Sequence, residues 1–309
     1  MNIKNLTRHG ILFHQFHSSK SFYKSPGSLD KDTFYKFIKN NIKYLKNPEE
    51  FLNSKSKDKI FSITFDDGLK CQYSIALEIL DNFKLKAFFF IFSSSLENEH
   101  FTIENIRYFT YKFFKTRDHF YQSFFKIYEE LFSKKLTFDD QYSKKLFKKY
   151  KKHSKYYNEN DIFFKITRDN LINENEYKKT ILAMAKERKV DLKLLTQKLY
   201  MSKKEIKNIS DLNHVVGLHS HGHSHKNHLF SFNKELNDYK KNKEILEKII
   251  KKKIDCLSYP FGNFTKNSEK ILIKLNIKYA FCKNSLKNKM FKNQNYCLPR
   301  ENISNLLKL

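Results

Sequence analysis

Seven short apolar runs constrain the fold of this chain more than any other feature. Most are continuous rather than alternating, as in strands that are buried on both faces of a parallel sheet. The runs span residues 10–14, 60–65, 87–92, 214–219, 256–261, 278–282 and 296–299. Amphipathic helical patterns separate them, for example after Asp30, a predicted N-cap, and over residues 233–252. The alternation of strand and helix predicts an α/β architecture.

Residues from about 100 to 210 interrupt this alternation with long amphipathic stretches. Six aromatic residues recur there at helical spacing: Phe120, Tyr121, Phe124, Phe125, Tyr128 and Phe132. Such a stripe usually packs in a core, and a substrate or partner groove is the alternative. The sequence therefore predicts one domain over residues 1–309, interrupted by a large helical insertion at about 100–210.

Polar or glycine residues end three of the apolar runs, at 63–68 (ITFDDG), 215–225 (VVGLHSHGHSH) and 257–262 (LSYPFG). Four of the six glycines lie in these segments, as expected where a backbone turns tightly or approaches a ligand. Active sites of parallel barrels are built from the C-terminal ends of strands. The three segments are therefore predicted to form one site.

Two adjacent carboxylates, Asp66 and Asp67, follow the second run. Because successive side chains diverge, one can bind a metal while the other acts on water as a general base. Five histidines follow the fourth run: His219, His221, His223, His225 and His228. Two neutral imidazoles and one carboxylate leave coordination positions open, which is typical of a hydrolytic metal site. The alternative is a histidine-rich loop that binds metal adventitiously.

At these residues the chain resembles the polysaccharide deacetylases of carbohydrate esterase family 4. The first family motif, T-F-D-D-G, corresponds to residues 64–68, and the second, G-x-H-[S/T]-x-x-H, corresponds to residues 217–223. A variant of the third motif, Y-P-[YF]-G, corresponds to residues 259–262. The resemblance covers residues 10–100 and 211–300 but not the insertion.

The resemblance implies a distorted (β/α) barrel of about seven strands, in agreement with the number of apolar runs. It implies that Asp67, His219 and His223 bind a divalent metal, usually Zn²⁺. Asp66 would then deprotonate the attacking water, and the backbone N–H of Phe261 would help to hold the oxyanion.

Two further residues, Tyr259 and Arg300, are assigned to the substrate side of the site. Tyr259 belongs to the third motif. Ser258 stands where many family members carry an Arg that orients the base. Arg300, after the last apolar run, is predicted to supply that charge from across the barrel, and the alternative is a surface residue that closes the chain.

Many family members also use a late histidine as general acid, but this sequence has none after His228. His14, at the end of the first run, is the predicted acid, and a structural histidine is the alternative. The pair of metal-binding histidines has an alternative too, because His221 and His225 repeat the spacing of the preferred pair.

Composition limits the partners and the compartment. The net charge is +27, but the lysines are scattered over predicted helix faces and form no nucleic-acid motif, so at most weak attraction to anionic partners is predicted. The four cysteines form no CxxC pair and are predicted to be buried and reduced. No window approaches the roughly 20 apolar residues of a membrane span. These features predict a cytoplasmic protein; peripheral membrane association and the oligomeric state stay open.

Together these observations predict a metal-dependent hydrolase that removes an acetyl group from an N-acetylated sugar or glycan precursor. The substrate follows from the resemblance alone. Two alternatives stand beside this prediction. One is a metal-dependent hydrolase of another amide or imide, and the other is a degenerate barrel that binds an anionic glycan or a protein partner.

Overall fold

A closed barrel of seven parallel strands forms the centre of the fold. The computed structural model describes residues 6–19, 21–97, 101–153, 158–224, 227–283 and 291–307. The strands are β1 His9–Phe13, β2 Phe61–Phe65, β3 Phe88–Ile91, β4 Val215–Leu218, β5 Cys256–Ser258, β6 Tyr279–Cys282 and β7 Leu298–Asn302. Each strand pairs with the next in sequence, and β7 closes onto β1 with Arg300 opposite Gly10. The predicted α/β fold, a distorted seven-stranded (β/α) barrel, is confirmed.

Two of the predicted strands differ from the structure by more than one residue at an end. The run at 256–261 stops pairing after Ser258, because Pro260 lacks an N–H and opens a 3₁₀ turn over Pro260–Gly262. The run at 296–299 begins in another 3₁₀ turn, Gln294–Cys297, so that strand starts later and extends to Asn302. Both shifts concern the residues that border the candidate site.

Helices lie between most of the strands along the chain, as the amphipathic patterns predict. They are α1 Lys31–Asn41, α2 Pro48–Asn53, α3 Leu77–Asn82, α4 Ile103–Phe113, α5 Arg117–Phe132, α6 Gln141–His153, α7 Glu159–Ile166, α8 Glu174–Glu187, α9 Leu192–Leu199, α10 Lys203–Asp211, α11 Phe232–Ile250, α12 Ser268–Lys274 and α13 Ile303–Leu307. The predicted N-cap of α1 is confirmed, since the Asp30 carboxylate accepts the N–H of Thr33 at 2.7 Å.

The chain divides into two compact units, Met1–Glu99 with Thr196–Leu309, and His100–Leu195. The first contains the barrel. In the second, the aromatic stripe of α5 packs inward, with Phe120, Phe124 and Tyr128 buried. The single domain with a helical insertion at about 100–210 stays a prediction beside this division.

Phenylalanine dominates the barrel core. Phe51, Phe88, Phe90 and Phe281 form one buried cluster with Cys256 and Leu298. The rings of Phe90 and Phe281 lie 5.2 Å apart between centroids. None of the helices in the described ranges is long and apolar enough to cross a membrane.

The cysteines are all buried, as predicted, but two of them are not reduced. Cys282, at the end of β6, and Cys297, directly before β7, form a disulfide. The pairing of β6 with β7 brings their Cα atoms to 5.2 Å, whereas their separation of 15 residues gave no sign of it. Since disulfides persist in oxidising compartments, this pair corrects the prediction of four reduced cysteines and does not support a reducing compartment.

Gly217 in β4 tests how tightly the barrel is packed beneath the site. A Cβ atom there would lie 2.5 Å from two ring carbons of Phe90. We expect Gly217→Ala to lower the free energy of unfolding by about 1–3 kcal/mol, measured by denaturant titration. Combining it with Phe90→Leu should cost less than the sum of the two single changes, and additive losses would contradict this explanation.

Candidate active site

The carboxyl ends of β2, β4 and β5 carry the three predicted motif segments. Several residues there adopt left-handed backbone, among them Asp67 (φ 76°), Ser220 (φ 64°), His223 (φ 45°) and Phe261 (φ 57°). Such backbone is unfavourable for residues with a Cβ and persists only where the surroundings hold it in place. These turns direct side chains from three strands toward one place.

Asp67, His219 and His223 converge there. One ligand atom from each lies within 4.8 Å of the others. Oδ1 of Asp67 lies 3.5 Å from Nε2 of His219 and 3.3 Å from Nε2 of His223. Asp67 and His219 are buried, and His223 is half-buried. One carboxylate oxygen and two imidazole nitrogens at this spacing form a donor set suited to a divalent metal.

The ring of His219 is held in the tautomer that metal binding needs. Its Nδ1 lies 2.8 Å from the carbonyl oxygen of Ser258, which can only accept, so Nδ1 carries the hydrogen. Nε2 is then left to face Asp67 as a lone pair. Asn242 fixes the backbone of the same residue by accepting the N–H of His219 at 3.0 Å.

Asp66, whose Oδ2 lies 3.7 Å from Nε2 of His219, is held in a buried ion pair. Nη1 and Nη2 of Arg300 donate to its two carboxylate oxygens at 2.6 and 2.7 Å. The Ser258 hydroxyl donates to Oδ2 of Asp66 at 3.2 Å and accepts from Arg300 at 2.6 Å. The structure therefore brings Arg300 from β7 to Asp66, and Ser258 fills the space between them.

Gly10 makes room for this ion pair. A Cβ at that position would lie 2.9 Å from Cγ of Arg300 and 3.0 Å from Cγ2 of Thr64. Any larger residue at position 10 would displace the aliphatic part of the Arg300 side chain. Gly10 in the first strand thus allows Arg300 in the last strand to reach the carboxylate of Asp66, which directly follows the second strand.

The charges of the site determine its protonation. Burial alone would raise the pKa of the Asp66 carboxyl, but Arg300 and His219 outweigh burial and hold that pKa below its ordinary value. Burial of Asp67 is likewise outweighed, by His223 and His219, and its pKa is lowered. Both carboxylates are therefore ionised at neutral pH.

The two imidazoles respond in opposite ways. Burial lowers the pKa of His223 to about 4, despite the attraction of Asp67, so this ring is neutral and available as a ligand. Burial also acts to lower the pKa of His219, but Asp66 and Asp67 outweigh it and raise that pKa. A metal bound to His219 must therefore displace a proton as the pH falls toward that pKa.

The third motif places Phe261 and Tyr259 differently. Phe261 is 41% exposed, and its ring lies 4.8 Å from that of His223 between centroids. Within the described ranges its backbone N–H has no hydrogen-bond acceptor. Tyr259 is buried, its hydroxyl donates to the carbonyl of Tyr296 at 3.0 Å, and its N–H donates to Phe281. Tyr259 therefore packs in the core, and both of its donors are already used, which speaks against a substrate contact.

His14 directly follows β1 at the same end of the barrel. After the stronger effects of the nearer groups, His14 also contributes to lowering the pKa of both Asp66 and Asp67. The side-chain amide of Gln72 donates to the carbonyls of His14 at 2.8 Å and of Asp66 at 2.7 Å. One buried amide thus ties together the ends of β1 and β2.

Of the alternative pair of metal histidines, His221 is not among the groups that converge with Asp67 in the described part of the chain. Nδ1 of His221 lies 2.9 Å from the Ser93 hydroxyl, and Nε2 lies 3.5 Å from a carboxylate oxygen of Glu97. His225 lies outside the described residues.

Comparisons with known proteins show the family to which the chain belongs. The family profile described as Polysaccharide deacetylase matches residues 53–110 and 133–280. The chain belongs to the polysaccharide deacetylase family. The match includes most of the interval that the sequence motifs had left out. No curated protein sequence matches the chain.

Solved deacetylase structures share the fold at low sequence identity. Deacetylase PplD of Streptococcus pyogenes, in complex with acetate, is 14% identical with a TM-score of 0.55, over 98% of this chain and 97% of that one. A de-N-acetylase of Aggregatibacter actinomycetemcomitans is 10% identical with a TM-score of 0.53, over 95% and 93%. The BpsB deacetylase domain of Bordetella bronchiseptica is 10% identical with a TM-score of 0.50, over 96% of each chain.

Membership in this family makes the chain a carbohydrate deacetylase, a hydrolase of the class that the motifs predict. Sequence reasoning missed two polar residues that support the deacetylase site, Gln72 and Asn242, both fully buried. Asn242 lies three residues after Tyr239 and four before Leu246, on the apolar stripe of α11. An amide on such a stripe was the available signal. No comparable feature of the sequence singled out Gln72.

Removing the charge of Arg300 should change the pH dependence of the deacetylase. Asp66 can accept a proton only when ionised, and Arg300 keeps it ionised to lower pH. We expect Arg300→Gln to raise the pKa of Asp66 and so to move the acidic limb of the kcat/KM profile to higher pH, by about 1–3 units.

A second buried arginine provides the control. Arg8 donates to the carbonyls of Phe51 and Leu52, at the other end of β1. Arg8→Gln should lower stability and leave the acidic limb where it is. An unmoved limb in Arg300→Gln, with the protein folded, would show that Arg300 does not set the charge of the base.

Proposed function

We propose that this chain is a metal-dependent deacetylase that removes the acetyl group from an N-acetylated sugar or glycan precursor. One observation carries the proposal. Asp67, His219 and His223 converge at the carboxyl end of the barrel, directly beside a second carboxylate that is held by Arg300 and Ser258. A histidine-rich loop that binds metal adventitiously would not account for an Asp66 carboxylate that is held by Arg300 and Ser258.

The donor set fits a divalent metal, most simply Zn²⁺. It offers one ionised carboxylate, one neutral imidazole and one imidazole whose Nδ1–H is already donated to a carbonyl. Three protein ligands also leave positions open, as catalytic zinc sites require. When bound, the metal supplies Lewis-acid polarisation of the acetyl carbonyl and increases the acidity of water.

Asp66 acts as the general base in this proposal. It removes a proton from water as the water oxygen attacks the carbonyl carbon of the acetyl group. Its carboxylate cannot rotate freely, because Arg300 binds both oxygens and Ser258 donates to one. The ion pair therefore fixes the direction in which the proton is taken and keeps the base ionised at neutral pH.

Phe261 and His14 complete the reaction. The N–H of Phe261 stabilises the oxyanion that develops on the carbonyl oxygen. As the C–N bond breaks, His14 delivers a proton to the departing nitrogen. The products are acetate and a free amino sugar, so the proton taken by Asp66 and the one given by His14 balance.

The acyl group in this proposal agrees with a fold relative, since PplD was solved with acetate. We do not propose the cytoplasmic location that the sequence predicts, because the Cys282–Cys297 disulfide is typical of proteins in oxidising compartments.

Acetate release from N-acetylated sugars, nucleotide sugars and oligosaccharides tests the proposal. Chelation should abolish release, and Zn²⁺ or Co²⁺ should restore it. Asp66→Asn should retain metal but lower kcat by about 10²- to 10⁴-fold, whereas Asp67→Asn should lose metal and activity together. Metal retention without release from any substrate would instead favour the degenerate, binding barrel.

The acid can be tested through the leaving group. His14→Gln should lower kcat for an N-acetyl substrate by about 10²- to 10⁴-fold, because an amine leaves only when protonated. Hydrolysis of 4-nitrophenyl acetate should be nearly unchanged, since its leaving group departs as an anion. His17, whose ring is hydrogen-bonded to the Ser28 hydroxyl at 2.9 Å, supplies the matched control His17→Gln. Equal losses on both substrates would argue against His14 as the acid.

A further inference from the structure

The segment between His219 and His223 is held from outside the proposed metal site by one carboxylate. Oδ2 of Asp238, on α11, accepts the N–H of His221 at 3.0 Å, and Oδ1 accepts the N–H of Gly222 at 2.9 Å. Both oxygens of Asp238 are therefore directed at two successive backbone groups of the segment that joins the two histidines. Charged acceptors make stronger hydrogen bonds to N–H groups than neutral ones do.

The same peptide is held on its other side. The carbonyl of His221 accepts the N–H of Ser94 at 3.0 Å, and Nδ1 of its ring lies 2.9 Å from the Ser93 hydroxyl. His221 is thus the fixed point of the segment rather than a ligand. Its N–H, its carbonyl and its ring are all hydrogen-bonded away from Asp67.

The segment needs this support because its backbone is strained. Ser220 and His223 both adopt left-handed φ values, 64° and 45°, on either side of the two N–H groups that Asp238 accepts. Gly222 lies so close that an added Cβ would be 3.2 Å from Oδ1 of Asp238. A strained turn persists only when its surroundings hold it, and Asp238 is a charged group placed to do so.

Asn242, one helical turn after Asp238 on α11, extends the contact to the first histidine. Its oxygen accepts the N–H of His219, and its amide nitrogen donates to the carbonyl of Ile91 at the end of β3. Positions i and i+4 lie on one face of a helix, so both contacts come from a single face of α11. That face therefore fixes the segment at three backbone N–H groups.

We propose that Asp238 is a positioning residue that preorganises the metal-binding segment and thereby sets the affinity for the metal. The inference rests on the metal site proposed above. Asp238 has both oxygens occupied by backbone N–H groups, so it acts through the positions of His219 and His223 and does not coordinate the ion itself. Without it, part of the binding free energy would be spent on ordering the turn.

The test measures metal binding directly, with Zn²⁺ in competition with a chromophoric chelator and with the visible spectrum of Co²⁺. Outer partners of metal ligands typically change affinity by about 10- to 100-fold, and we expect Asp238→Ala to raise the Kd for Zn²⁺ by that factor. Asp238→Asn keeps one acceptor oxygen and should fall between wild type and Asp238→Ala. The Co²⁺ spectrum should also broaden or shift, which a loss of stability alone would not cause.

Glu244, on the same helix, provides the matched control. Its side chain is 65% exposed and pairs with Lys240 at 3.8 Å. Glu244→Ala removes the same charge from α11 and should leave both the Kd and the spectrum unchanged. Thermal unfolding of each metal-free variant identifies any that do not fold, and Asp238→Asn decides the matter if Asp238→Ala is among them.

The outcomes separate this inference from the proposed function. If wild type binds Zn²⁺ and folded Asp238 variants bind it equally well, Asp238 is not a positioning residue, although the metal site stands. An equal loss in Glu244→Ala would also overturn the inference, because net charge would then explain the effect. If wild type binds no Zn²⁺, the metal site itself is wrong, and this inference falls with it.

Discussion

The buried ion pair between Arg300 and Asp66 is the interaction on which the rest of the site depends. Its partners stand on the last and the second strands, and β1 separates them. Both side chains are nearly inaccessible, so either charge alone would be costly in the interior, by about 3–5 kcal/mol. Closure of the barrel between β7 and β1 therefore also places Arg300 beside Asp66, the proposed base. Gly10, Thr64 and Ser258 are small enough to leave the space that this pair fills.

The site owes its geometry to strained turns on a rigid barrel. Asp67, Ser220, His223 and Phe261 all adopt left-handed backbone, at the ends of three different strands. Each costs about 1–3 kcal/mol, and residues of this kind cluster where function requires a defined geometry. The strands beneath these turns are paired and packed with phenylalanine, and this packing offsets the free energy that the strained residues cost. The paired strands supply the stability, and the strained residues are concentrated at the carboxyl end of the barrel.

The features that the sequence predicted are those that depend on local pattern. Apolar runs predicted all seven strands because most of the strands, such as β2, β3 and β5, are buried on both faces. The predicted strand ends were wrong near Pro260 and Cys297, where turns and neighbouring strands decide the pairing. The disulfide was missed because the pairing of β6 with β7 creates it. Arg300 became a candidate only because Ser258 stands where many family members carry an arginine. The role of Asn242 could not be predicted because it depends on how α11 packs against β4.

Different counter-charges explain why two adjacent carboxylates can have two roles. Asp66 faces a guanidinium, which stays protonated throughout the ordinary pH range, so its partner is permanent. Asp67 faces two imidazoles: the His223 ring is already neutral, and the His219 ring can give up a proton and bind a cation in its place. A divalent ion can therefore replace a proton beside Asp67 but cannot replace Arg300 beside Asp66. The barrel thus gives Asp67 the exchangeable partners that suit its proposed role as a metal ligand, and gives Asp66 the permanent partner that suits its proposed role as a base.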